Sequence, residues 1–139
     1  MIGGHWIKSW SSTQKNITLS SGEAELVAAV KMATELIGIC QLAADWGEEY
    51  HGQVYVDSTA ALGMVNRRGC GKMRHVRVGN LWIQEKKENG ELGFNKINGL
   101  ENPGDLMTKY LAEKVISKLM RALNQYFVAG RADTGLVIT

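Results

Sequence analysis

The sequence predicts an α/β domain with a mixed sheet. Three observations carry that expectation. A short run of β-formers, QVYV at residues 53–56, stops at Asp57 and passes directly into a helix-like segment. Ahead of it, Leu26, Ala29, Val30, Ala33, Leu36, Ile37, Cys40 and Ala44 recur at helical spacing. The order along the chain is strand, strand, helix, strand, helix, helix, strand, helix, the mixture from which α/β domains are built.

Each element has its own warrant. HWIKSW (residues 5–10) and NITLS (residues 16–20) read as two short strands joined by a polar turn. Ser20 and Glu23 form a capping box at the start of the long helix, and Gly47 suits its end. QVYV lacks alternation, which predicts a strand buried on both faces. Residues 59–66 follow as a short helix, then a basic glycine-containing loop, RRGCGK. Val76, Val78, Leu81, Trp82 and Ile83 predict a helix ending near Asn89-Gly90, and ELGFNKI (residues 91–97) a further strand. Asn102 and the only proline, Pro103, open a last helix, because Asn caps well and Pro suits the first helical position. Its period runs through Val115, Ile116, Leu119, Met120 and Leu123 to about residue 127. The expected organisation is one domain over residues 1–127 and a tail over 128–139.

Composition narrows the class. At 139 residues, 45% hydrophobic and 22% charged, the chain has room for one domain with a true core. No apolar run approaches the ~20 residues that span a bilayer. MIGGHWIKSW lacks the basic-then-apolar pattern of a signal peptide, so an intracellular protein with Cys40 and Cys70 as reduced thiols is expected. The sequon at Asn16-Ile17-Thr18 then reads as chance. A net charge of +2 does not argue for nucleic acid. However, Arg67, Arg68, Lys72, Arg74, His75 and Arg77 fall within eleven positions. They form either a solvated loop or a phosphate-contacting surface.

Three carboxylates stand out. Asp57 lies at the carboxyl end of a strand, where ligands bind in open α/β sheets; the bland reading makes it the cap of the next helix. Glu25 projects about 60° from the centre of the apolar stripe, whereas Glu23 points well away from it. A carboxylate so placed needs a partner, either a salt bridge or a ligand. Asp105 is the third residue of the last helix, where acids are common for helix-dipole reasons alone. Together the three suit hard divalent ions such as Mg²⁺. Two such ions about 4 Å apart can clamp a phosphodiester.

Four blocks in this order, SWSSTQKNITLSSGEAELVAA, VYVDSTAAL, KMRHVRVGNLWIQEKKENGEL and NPGDLMTKYL, resemble the ribonuclease H domain of copia-type LTR retrotransposon polyproteins. The resemblance covers roughly residues 3–112. It implies an RNase H-like mixed sheet flanked by helices. It also implies a nuclease that hydrolyses the RNA strand of RNA–DNA hybrids with two Mg²⁺ or Mn²⁺ ions. By it, Glu25, Asp57 and Asp105 become catalytic metal ligands, and Arg67, Arg68, Lys72, Arg74, His75 and Arg77 the nucleic-acid contacts.

The family's fourth carboxylate lies on a first strand that this sequence lacks, since no aspartate precedes Glu23. An N-terminally truncated domain with impaired turnover is therefore expected. Its open sheet edge would be covered by residues 135–139, by a partner chain or larger assembly, or removed by a rearranged sheet. Asp133 is a further acid that could replace the missing ligand. The alternative is a non-catalytic RNase H-like module that binds nucleic acid or serves as a structural subunit.

Overall fold

The structure is a computed structural model and describes residues 1–14, 17–71 and 80–126. The chain groups into two compact units where the sequence suggests one: Ser12–Asn102, and Met1–Ser11 together with Pro103–Thr139.

In the larger unit the long helix α1 spans Ser21–Asp45. Its start is the capping box the sequence predicts. Ser20 Oγ accepts from the Glu23 amide at 3.2 Å. The Glu23 carboxylate accepts from the Leu19 amide, one residue ahead of Ser20, at 2.7 Å. The helix ends at Gly47, whose φ of +82° is the left-handed conformation that glycine adopts freely. By length and composition α1 is apolar enough to cross a membrane, contrary to the expectation that no stretch would be. Here Leu26, Ala29 and Ala33 of α1 are buried in a core.

Strand β1 (Gly52–Val56) pairs in parallel with β2 (Leu92–Lys96), and among the described residues these two make the sheet. The register sets Val54 against Phe94 and Val56 against Lys96. Between the strands lie α2 (Thr59–Val65) and α3 (Trp82–Glu88). Val76 and Val78, expected in the same helix as Trp82, lie outside the described residues. α1 packs on β1, α2 on both strands, and α3 against β2. Their apolar faces meet in one core of Leu26, Ala29, Ala33, Val54, Val56, Met64, Val65, Ile83 and Leu92. β1 is not buried on both faces as its composition suggests. Gly52, Val54 and Val56 point into the core and Gln53 and Tyr55 outward, because helices cover one face. On the outer face the Asn95 amide donates to Gln53 Oε1 at 2.8 Å, across Gly93.

Neither N-terminal strand forms among the described residues. The Ser12 hydroxyl instead accepts from Lys31 Nζ at 2.8 Å, and Gln14 Nε2 donates to the Ala24 carbonyl at 2.7 Å. The segment 12–14 thus tracks α1 through side chains. β-propensity without a neighbouring strand is not enough to make one.

In the smaller unit Ile2 and His5 exchange backbone bonds of 3.0 and 2.9 Å across Gly3-Gly4, both at positive φ. That two-residue turn is all the β-structure described there. The last helix is also not continuous. Pro103–Met107 forms a 3-10 turn, and a separate helix α4 runs over Glu113–Ala122. The Asn102 side-chain amide reaches Asp57. α4 packs on the 3-10 turn, buries Leu119, and closes with Asn124 at a φ of +57°, a conformation Asn tolerates. Residue 127 and the tail over 128–139, with Asp133, lie outside the described residues.

Candidate active site

Asp57 follows the last residue of β1 and is half-buried. Its capping role is excluded, because Ser58 caps α2: Ser58 Oγ accepts from the Ala61 amide at 3.1 Å. The Asp57 carboxylate is turned instead toward the loop after β2, where Asn102 Nδ2 donates to Oδ2 at 3.3 Å. Gly99 backs the same oxygen, at a distance where an added Cβ would make ordinary contact, 3.9 Å. Lys96 reaches over from the partner strand. Its ammonium donates to the Asp57 carbonyl at 2.8 Å and to Thr59 Oγ1 at 2.6 Å. The parallel register sets Lys96 opposite Val56, one residue before Asp57, which is why a lysine there meets this strand end. The sequence reading missed both Asn102 and Lys96. The signal for Lys96 was its place at the end of the second parallel strand; Asn102 reads in the sequence as a helix cap, and its amide also reaches Asp57.

The two acids of α1 exchange their expected environments. Glu23 is the buried one, at 4% exposure, and Glu25 is half-buried. The angular estimate fails because Glu23 folds back over the helix start to reach the Leu19 amide.

Asp105 belongs to the smaller unit, in the 3-10 turn. Its side chain is only 13% exposed and pairs with Lys109 Nζ at 2.9 Å, four residues on. Within neither unit do the described residues gather three or more His, Cys, Asp or Glu side chains able to hold a metal ion. Asp57 offers oxygen donors of the right kind for Mg²⁺ or Mn²⁺, but among the described residues no single unit supplies a full set.

The basic cluster divides. Arg67 is a strut of its own loop: Nη2 donates to the Cys70 carbonyl at 2.9 Å, and Gly71 lies against the guanidinium. A Cβ at Gly71 would come 2.8 Å from Arg67 Cζ, and its φ of +56° also favours glycine. Arg68 pairs with Glu88 of α3. Gln84 of α3 clasps the loop, donating to the carbonyls of Met64 at 2.7 Å and Gly69 at 3.2 Å and accepting from the Gly69 amide at 2.9 Å. Lys72, Arg74, His75 and Arg77 lie outside the described residues.

A half-buried carboxylate at the end of a parallel strand, backed by an amide and a lysine, marks the kind of α/β unit that carries its chemistry at strand ends. Over 106 aligned residues, 73% of this chain, the sequence is 35% identical to the retrovirus-related Pol polyprotein from transposon TNT 1-94 of Nicotiana tabacum. The match spans 8% of that polyprotein's length. The chain is thus similar to a region of a retrotransposon Pol polyprotein. No family model and no solved structure matches it.

Proposed function

We propose that this chain is an RNase H-like nuclease domain of a retrotransposon polyprotein, hydrolysing the RNA strand of RNA–DNA hybrids. The observation that carries the reading is Asp57: it ends a parallel strand, leaves the cap to Ser58, and gives one oxygen to Asn102. The likeness to a retrotransposon Pol polyprotein supports the setting. Asp57 and Glu25, both in the larger unit, are the proposed ligands of Mg²⁺ or Mn²⁺, which would supply Lewis-acid activation of the scissile phosphate. In this chain Asn102 orients the Asp57 carboxylate, and Lys96 holds the turn that carries it.

The test is cleavage of a labelled RNA–DNA hybrid with Mg²⁺ or Mn²⁺. Cleavage that Asp57→Asn reduces by about a hundredfold or more is expected, since removing one essential transition-state contact costs that much. Cleavage that survives Asp57→Asn sinks the assignment.

A second reading has its own support. Among the described residues no group of three or more His, Cys, Asp or Glu side chains that could hold a metal ion is found, which favours a non-catalytic RNase H-like module. Salt-dependent hybrid binding without cleavage would identify its nucleic-acid-binding form; no binding would identify a structural subunit.

A further inference from the structure

The lysine at the end of β2 is bonded in an unusual way for a cation. An ammonium carries three N–H donors and a full charge. Lys96 gives two of those donors to neutral oxygens, the Asp57 carbonyl at 2.8 Å and Thr59 Oγ1 at 2.6 Å. Neither acceptor balances its charge. Lys86 and Lys109, by contrast, meet acids: Lys86 donates to Glu91 at 2.7 Å and Lys109 to Asp105 at 2.9 Å. Holding the turn after β1 calls for donors alone. The charge of Lys96 exceeds that task, and it stands on an exposed residue.

The place of Lys96 matters as much as its bonds. β1 and β2 run parallel with Val56 opposite Lys96, so Asp57 and Lys96 mark the same end of the sheet. Ligands of α/β units gather at that end. A carboxylate there repels any polyanion. A cation one strand over offsets the repulsion and draws phosphate toward the strand ends. Lysine suits that task, because its compact charge and rotatable donors meet a phosphate oxygen without a fixed geometry.

We propose that Lys96 contacts phosphate: its third N–H and its charge take a non-bridging oxygen of a nucleic-acid backbone that crosses the strand ends beside Asp57. The two bonds to Asp57 and Thr59 hold the ammonium in place for that contact. The inference rests on the nucleic-acid reading above, and it adds a contact outside the basic cluster of residues 67–77. Such a contact reads charge and not base, so it acts alike on all sequences.

The probe is a fluorescein-labelled RNA–DNA hybrid, titrated by anisotropy in EDTA over a range of KCl, so that binding is read apart from cleavage. The slope of log affinity against log salt counts the phosphates neutralised, at about 0.7–0.9 each. Lys96→Met should lower that slope by about 0.7–0.9, and Lys96→Arg, which keeps the charge, should restore it. Lys31→Met removes the same charge from α1, where the ammonium donates to Ser12, and should leave the slope as it is. If Lys96→Met keeps the full slope, the lysine only holds the turn and the proposal falls. It falls equally if Lys31→Met lowers the slope as much, because net charge then accounts for the effect, or if the unsubstituted chain binds no hybrid. Circular dichroism checks that each variant folds. Should Lys96→Met not fold, the Cε–H signal of Lys96 in the unsubstituted chain decides by NMR: it must shift as hybrid is added, and an unmoved signal overturns the proposal. Cleavage is read separately with Mg²⁺. A lowered slope in a chain that never cleaves hybrid would sink the nuclease and leave the phosphate contact standing. Cleavage that Asp57→Asn abolishes, with the slope untouched by Lys96→Met, would do the reverse.

Discussion

Replacing Glu23 should cost more stability than replacing Glu25, though the two acids sit two residues apart on one helix. Glu23 is 4% exposed, and its carboxylate takes the Leu19 amide at 2.7 Å. Removing it in Glu23→Ala leaves that N–H without its acceptor. A hydrogen bond to a charged group contributes ~1.5–3 kcal/mol, and an acid in a helix's first turn adds ~0.3–1 kcal/mol. A total of about 2–4 kcal/mol follows, against about 1 kcal/mol for Ser20→Ala, which removes the acceptor of the Glu23 amide. Glu25→Gln keeps its volume at a half-exposed site and should cost less than about 1 kcal/mol. Urea unfolding followed by far-UV circular dichroism measures all three. Because Ser20 and Glu23 meet at one helix start, the Ser20→Ala, Glu23→Ala double variant should lose less than the two singles together. If Glu25→Gln proves the costlier change, the division between structural and site acid is wrong.

Other substitutions test the packing around the site. Gly52→Ala would place a Cβ 2.7 Å from Leu92 Cδ2 and 2.8 Å from Leu36 Cδ2, both on the covered face. Overpacking there should cost ~1–3 kcal/mol in urea unfolding. Gly93→Ala meets only the far end of Gln53, 2.0 Å from its Oε1 on the open face. That side chain can swing away, so the cost should stay below about 1 kcal/mol. Gln84→Ala removes three bonds to Met64 and Gly69 and should cost ~1–2 kcal/mol while speeding amide exchange at Gly69. Glu91 is held below the ordinary carboxylate range chiefly by its hydrogen bond from Lys86. Its small contribution is present above the unfolded carboxylate pKa and lost as pH falls through the lower folded value. Thermal melts across the acid range should therefore show a shallower acid decline for Glu91→Gln.

The elements legible in the sequence were those with local causes. The capping box, the helical stripe and Gly47 bound α1 to within a residue at its start, because caps and periodicity act within a few positions. β1, α2 and β2 also fall within a residue or so of expectation. What failed depended on partners. HWIKSW has strand composition and no ladder. Asn102-Pro103 has helix-start chemistry, yet Asn102 turns to Asp57 and Pro103 begins only a 3-10 turn. At the site, Asp57 was legible from its position after an apolar strand. Lys96 and Asn102 were not, because their approach comes from pairing registers more than thirty residues away in sequence. Arg67 looked like a phosphate contact from charge alone; its bond to the Cys70 carbonyl depends on a glycine at position 71 that lets the loop fold over it.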